Sequence, residues 1–236
     1  MPRKPRSAFG GVTYHVLNRA VGRQTLFESD GDYRAFGKVF REAVEREVKA
    51  RRTSPDVLAW CLMPNHWHLV LRPHGDEDLS NFMRWLTVTH TQRYHAAHRT
   101  SGTGPLYQGR FKSFPIEEDV HLTTVLRYVE RNALRAKLAE RAETWPWGSA
   151  SDRNAVTPVG PPLLSMADWP VERQWTPGRW RSFVNRPQSD AEEAAIRTSI
   201  TRGRPFGGEP WQQRTAERHG LAHTFRKPGR PRKIAG

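Results

Sequence analysis

The sequence predicts an α+β fold, an antiparallel sheet with helices packed on it, and three observations carry that prediction. Short β-prone runs alternate with long amphipathic stretches in the order β, α, β, β, α, β, α. The second and third β-prone runs flank Met63-Pro64-Asn65, where proline fixes φ and asparagine tolerates turn geometry, so they read as a hairpin. At 236 residues the chain is long enough to bury a proper core.

The elements follow in order. TYHVLNR, from Thr13, is short and alternating, as a strand is. From about Asp30 to Arg51, Tyr33, Phe36, Phe40, Ala43 and Val44 recur at helical spacing beneath a charged face. VLAWCLMPNHWHLVLR supplies the hairpin. A second helix is predicted over Leu79 to His98, with Leu79, Phe82, Met83, Leu86 and Tyr94 on its apolar side, and RTSGTGP ends it. YQGRFKSFPI reads as a strand. Glu117, Glu118 and Asp119 then suit a helix N-terminus, from which a third helix runs to roughly Arg141. After WPWGSA, residues 145 to 150, prolines and tryptophans spread through polar sequence, so a boundary is placed there. The expected division is a domain over 1–150 and a small, mostly helical, partly flexible C-terminal region over 151–236. Helical patterns in that region fall near Asp190 to Thr201 and Glu209 to Arg218.

Lysine and arginine number 38 against 24 acidic residues, giving a net charge of +14 and a pI near 10.8. Such an excess calls for a polyanionic partner, and nucleic acid is the leading candidate. An anionic membrane surface would call for a basic amphipathic helix or a lipidation motif. No apolar run approaches the ~20 residues that span a bilayer. The start, MPRKPRSAFGG, lacks the apolar segment of a secretory signal, and Cys61, the only cysteine, can form no intrachain disulfide. A cytoplasmic, nucleoid-associated protein with no membrane role is expected.

MPNHWHLVL, residues 63 to 71, sets two histidines one residue apart on the second hairpin strand. Side chains i and i+2 of a strand share a face, so His66 and His68 point together while Trp67, Leu69 and Leu71 face the opposite way. An imidazole pair on a rigid strand suits one metal ion. Two exposed or core-satisfied histidines fit the pattern equally well. In LTTVLRYVERNALRA, residues 122 to 136, Leu122, Val125, Leu126, Val129 and Ala133 form a buried stripe with Tyr128 and Asn132 together on its flank. Packed over the histidine face, this helix would bring a phenol and an amide oxygen to the two imidazoles. The plainer alternative is a boundary tyrosine whose hydroxyl reaches water. Of the other tyrosines, Tyr14 and Tyr33 read as core and Tyr94 ends a helical stripe. Tyr107 is the one serious rival nucleophile, although it lacks a partner at i+4.

His66-Trp67-His68 resembles the HUH motif, and Tyr128 with Asn132 in YVERNALRA resembles the nucleophile helix of single-tyrosine HUH transposases. More closely, YHVLNRAVGRQTLF, CLMPNHWHLVL, GPLYQGRFKSF, YVERNALRA, WPWGSA and the terminal GRPRK together resemble REP-associated tyrosine transposases, a likeness that covers residues 12 to 150. Family members usually carry proline after the asparagine. Here Ala133 stands in its place, so the helix need not kink or stop there.

The resemblance implies a ferredoxin/RRM-like sheet of the HUH nuclease fold. It also implies cleavage and strand transfer of single-stranded DNA at repeat hairpins, through a 5′-phosphotyrosine on Tyr128, by a monomer or homodimer. His66, His68 and Asn132 would hold Mg²⁺ or Mn²⁺, although an isolated H-x-H pair would suit zinc as readily. Two other activities fit the same scaffold: a hairpin-binding module without turnover, and a metal-dependent nuclease that uses water. Arg19, Arg23, Arg110 and Lys112, on or beside predicted strands, are candidate phosphate contacts, with Arg110 and Lys112 on one face. GRPRK, with Arg230, Arg232 and Lys233, resembles an AT-hook core that can lie in a minor groove. Solvated surface charge is the alternative for all of these. Trp67 reads as core rather than a base-stacking platform. His15, His74, His90, His95 and His98 carry no evident role, and His121 shares the flank of Tyr128.

Overall fold

The computed structural model describes residues 8–50, 53–154 and 175–226. Strands β1 (Thr13–Arg19), β2 (Asp56–Met63), β3 (His66–Arg72) and β4 (Lys112–Ile116) form one antiparallel sheet in the order β2-β3-β1-β4. Helix α1 (Asp30–Lys49) joins β1 to β2, and α2 (Asp78–His98) joins β3 to β4. Helices α3 (Val120–Glu130), α4 (Asn132–Arg135), α5 (Ser149–Asn154), α6 (Pro177–Asn185), α7 (Asp190–Arg202) and α8 (Glu209–Arg218) follow. The α+β architecture and the order of its first seven elements are as the sequence predicts.

Strand alternation divides the sheet into two cores. On one face Val16, Trp67, Leu69 and Leu71 pack under α1 and α2, against Phe36, Phe40, Phe82 and Met83. Burying each of these large side chains contributes about 1.5–3 kcal/mol. On the other face Val70 and Phe114 pack under α3, with Leu122, Val125, Leu126 and Val129. Trp180 and Val184 of α6 and Ile196 of α7 complete this second core, so α6 and α7 pack against α3.

The β2–β3 turn is knitted to the loop after β1. Pro64 O accepts from the Leu26 and Phe27 N–H groups, and Asn65 O accepts from Ala20 N–H. That loop is thereby held beside His66.

Two expected elements are shorter than predicted. Within YQGRFKSFPI only Lys112–Ile116 joins the sheet. Tyr107 makes an isolated bridge to Ala20, and the Gly109 carbonyl takes the Asn18 amide, so the chain between them forms a loop. The predicted third helix is divided into α3, ending at Glu130, and α4, ending at Arg135, and neither reaches Arg141. Lys137 adopts a left-handed φ of 58°, with hydrogen bonds from Lys137 N to Leu134 O and from Leu138 N to Ala133 O. Those two bonds are a Schellman close, which satisfies the last carbonyls. Lysine in the place usually held by glycine hides the stop from a reading of the sequence. At Ala133 the chain continues helically as expected.

Candidate active site

The register of β1 against β3 sets Arg19 opposite His66, Leu17 opposite His68 and His15 opposite Val70. His15, Arg19, His66 and His68 therefore share the face beneath α3. The rings of His66 and His68 lie 5.0 Å apart, nearly perpendicular. Tyr128 of α3 stands edge-on to His68 at 6.0 Å and to His15 at 6.4 Å. Asn132, one turn further along, is fully buried.

Each imidazole is held through its Nδ1 atom. His66 Nδ1 lies 2.6 Å from Asn65 Oδ1, and His68 Nδ1 lies 2.8 Å from His15 Nε2. Among the described residues neither Nε2 of the pair has a hydrogen-bond partner. Burial lowers the pKa of His66 to about 4, helped by the positive charges of Arg19 and Arg135. Burial likewise holds His68 well below the usual histidine value. Both rings are neutral near pH 7, the form that ligates a metal. Two neutral nitrogens whose other ring atoms are engaged suit a divalent ion.

The oxygen side of the site is occupied by a side chain. Arg135 Nη2 donates to Asn132 Oδ1 at 2.8 Å and to the Tyr128 hydroxyl at 3.4 Å. Its guanidinium carbon lies 5.1 Å from the Tyr128 ring centre. Nη1 of the same group lies 3.7 Å from Glu193 on α7, and Glu193 also pairs with Arg197. Tyr128 is 4% exposed, and burial raises its pKa. Arg135, Arg197 and Arg19 act against that rise, while Glu193 adds to it. The phenol is thus a weak acid flanked by three guanidinium groups.

The rival tyrosine is spent. The Tyr107 hydroxyl accepts from Trp67 Nε1 at 3.1 Å and shares a hydrogen bond with His90 Nδ1 at 2.7 Å, within the α1–α2 core. Tyr14 accepts from Phe9 N–H, Tyr33 stacks on Trp147 at 4.8 Å, and Tyr94 stacks on His98 at 4.0 Å.

The candidate phosphate contacts are dispersed. Arg19 faces the histidines and Tyr128. Arg23 is exposed beside the hairpin turn, its carbonyl accepting from Asn65 Nδ2. Lys112 is exposed at the start of β4 opposite Leu17, on the histidine face. Arg110 precedes the strand, so the expected sharing of a strand face with Lys112 is not found. It lines a groove between the 105–111 loop and α2, with Arg84, Val88 and Gln92. Arg230, Arg232 and Lys233 lie outside the described residues. His121 pairs with Asp119 at 2.8 Å and packs on Phe206, in an acidic group with Glu117 apart from the histidine pair.

His15, Asn65, Arg135 and Glu193 belong to the site and were not singled out from the sequence. The alternation of TYHVLNR does place His15 and Arg19 on one face, and Arg135 follows Asn132 by one helical turn. Glu193 had no such signal.

An antiparallel sheet bearing an imidazole pair beneath a tyrosine–asparagine helix defines an α+β protein with a histidine–tyrosine site on its sheet. The chain belongs to the IS200-like transposase family, whose model matches residues 8–132, more than half its length. Among solved structures it is similar to a REP-associated tyrosine transposase bound to a REP hairpin. That match has 17% identity and a TM-score of 0.53, covering 72% of this chain and 93% of the other. A candidate transposase from Deinococcus radiodurans R1 matches at 17% identity over 55% of this chain and 96% of its own, with a TM-score of 0.38. No curated protein matches the chain.

Proposed function

We propose that this transposase-family chain is a metal-dependent single-stranded DNA endonuclease and strand transferase that cuts at or near palindromic repeat hairpins. The observation that supports the reading is Tyr128 of α3 standing edge-on to His68 of the His66–His68 pair at 6.0 Å, with Asn132 one turn further along the same segment. In this reading residues 1–150 carry the chemistry, and residues 151–236 add DNA contacts.

The Tyr128 oxygen attacks a backbone phosphorus and the bond to the 3′ oxygen breaks. The products are a 5′-phosphotyrosine and a free 3′-hydroxyl. A later 3′-hydroxyl reverses the step, so bond energy is conserved in the covalent intermediate. A phenol with a raised pKa needs help to lose its proton, and Arg135, Arg197 and Arg19 stabilise the anion that forms. His66 and His68 through Nε2, and Asn132 through Oδ1, would hold the ion. When bound, Mg²⁺ or Mn²⁺ supplies charge that polarises the phosphate. Asn132 serves once Arg135 turns from its oxygen, and Glu193 is the carboxylate placed to receive the guanidinium. Arg19, Arg23, Arg110, Lys112 and the terminal Arg230, Arg232 and Lys233 bind phosphates, which makes association steeply dependent on salt.

Incubation with single-stranded hairpin DNA and Mn²⁺, followed by a denaturing gel, tests this. Wild type forms a covalent adduct. Continued cutting by Tyr128→Phe would point to water as the nucleophile, and binding without any cleavage would point to a hairpin-recognition module.

A further inference from the structure

We infer that His15 is a positioning residue that sets the tautomer of His68, so that loading a divalent ion reverses the hydrogen bond between these two rings. The inference rests on the ion site of the proposed function. It starts from a difference between the two candidate ligands. His66 is held by Asn65 Oδ1, and the Asn65 amide nitrogen is spent on the Arg23 carbonyl at 3.3 Å. An amide oxygen only accepts, so His66 keeps its proton on Nδ1 and its lone pair on Nε2. That ligand is preset.

His68 is held by another imidazole, which can donate or accept. Both rings are buried and neutral, His15 with its pKa lowered to about 3 by burial. The 2.8 Å contact between His15 Nε2 and His68 Nδ1 contains one proton, which belongs to either ring. His15 Nδ1, on the far side, is buried and has no partner.

If His15 donates, its Nδ1 carries a bare lone pair, and His68 carries its proton on Nε2, where no metal can bind. If His68 donates, its Nε2 lone pair faces the site, and His15 bears a buried N–H with no acceptor. A buried N–H without a partner is the rarer arrangement in proteins. The first tautomer therefore prevails without an ion, and an ion on His68 Nε2 selects the second. On loading, the proton on His68 Nε2 leaves to solvent, the shared proton passes from His15 Nε2 to His68 Nδ1, and another reaches His15 Nδ1. The total is unchanged.

The His15 ring lies 4.9 Å from Phe114 in the second core, a place that a phenylalanine would fill.

The test uses the full chain. With the histidine rings labelled with ¹⁵N, added Mg²⁺ is expected to move the proton of His15 from Nε2 to Nδ1 and that of His68 from Nε2 to Nδ1, while His66 keeps its tautomer. His15→Phe is expected to bind Mn²⁺ about 10- to 100-fold more weakly by electron paramagnetic resonance, with its melting temperature little changed. His15→Gln, whose amide oxygen only accepts and so would preset His68 as Asn65 presets His66, is expected to bind Mn²⁺ at least as tightly as wild type. Unchanged His15 nitrogen signals on Mg²⁺ addition, or wild-type Mn²⁺ affinity in a folded His15→Phe, would overturn the inference. Should His15→Phe not fold, the nitrogen signals of wild type still decide. His66→Ala and His68→Ala separate the two levels of the argument. If neither alters Mn²⁺ binding, the ion site itself fails and takes this inference with it. If both abolish binding while His15 proves indifferent, only this inference falls.

Discussion

The two faces of β3 carry the same kinds of side chain and treat them in opposite ways. Beneath α1 and α2, Trp67 donates to Tyr107 and Tyr107 hydrogen-bonds His90, a chain of three polar aromatics whose bonds end inside the core. One residue away in either direction, His66 and His68 are bonded on their Nδ1 atoms only. Their Nε2 atoms make no hydrogen bond among the described residues, and Tyr128 stands edge-on to His68 at 6.0 Å. Polar satisfaction therefore separates a core from a site more clearly than burial does, since Trp67 and His68 are both nearly inaccessible.

Tyr128→Phe against Tyr107→Phe is the widest test of that contrast. The first is expected to reduce adduct and cleavage to background on a hairpin substrate while leaving the melting temperature within a few degrees. The second is expected to keep the adduct. Cleavage surviving in the first variant, or an adduct lost from a folded Tyr107→Phe protein, would reverse the assignment of the faces.

Acid should attack the closed face through His90. Burial lowers its pKa from 6.5 to about 3, so the unfolded chain takes up the proton first as the pH falls. The stability from keeping this ring neutral is complete above pH 6.5 and is lost progressively as the pH falls toward 3. By pH 4 the loss is about 3 kcal/mol. Urea unfolding across this range checks it: His90→Asn is expected to show a shallower slope than wild type, and an equal slope would mean that other groups carry the acid sensitivity.

Smaller again is the cost of the hydroxyl in Tyr107→Phe. It leaves the Trp67 N–H and His90 Nδ1 buried without their partner, for about 1–3 kcal/mol in chemical denaturation. A neutral result would show that water replaces the phenol oxygen and that this face is less closed than its contacts imply.

How much of this was legible depends on the range over which each signal acts. Alternation in TYHVLNR and HWHLVLR, and the helical spacing from Tyr33 to Ala43, are local, and they placed β1, β3 and α1 within a residue or two. The convergence of His66, His68, Tyr128 and Asn132 came from motif order, because nothing local tells a helix which strand it will cover. His15 was passed over although its alternation with Arg19 was in view, since a lone histidine on an apolar strand is ordinarily core. Lys137 ends a helix in a conformation usually taken by glycine, so its composition misled. Glu193 meets Arg135 only because Ile196 and Trp180 bury themselves against α3, a tertiary event without a trace in the local pattern.

The finest distinction concerns what covers the open face. In the proposed reading a divalent ion would compete with Arg135 for the Asn132 oxygen, so removing the guanidinium should tighten ion binding. Removing any nearby positive charge would tighten it too. Arg19 supplies the control: it also faces His66 and Tyr128 electrostatically, yet it makes no hydrogen bond to Asn132. Arg135→Met is expected to bind Mn²⁺ severalfold more tightly than Arg19→Met, although both lose one charge and both form less covalent adduct. The excess measures the competition for the oxygen. Equal affinities would mean that the guanidinium leaves Asn132 at no cost, and that the open face of the sheet is open in fact rather than held shut by its own arginine.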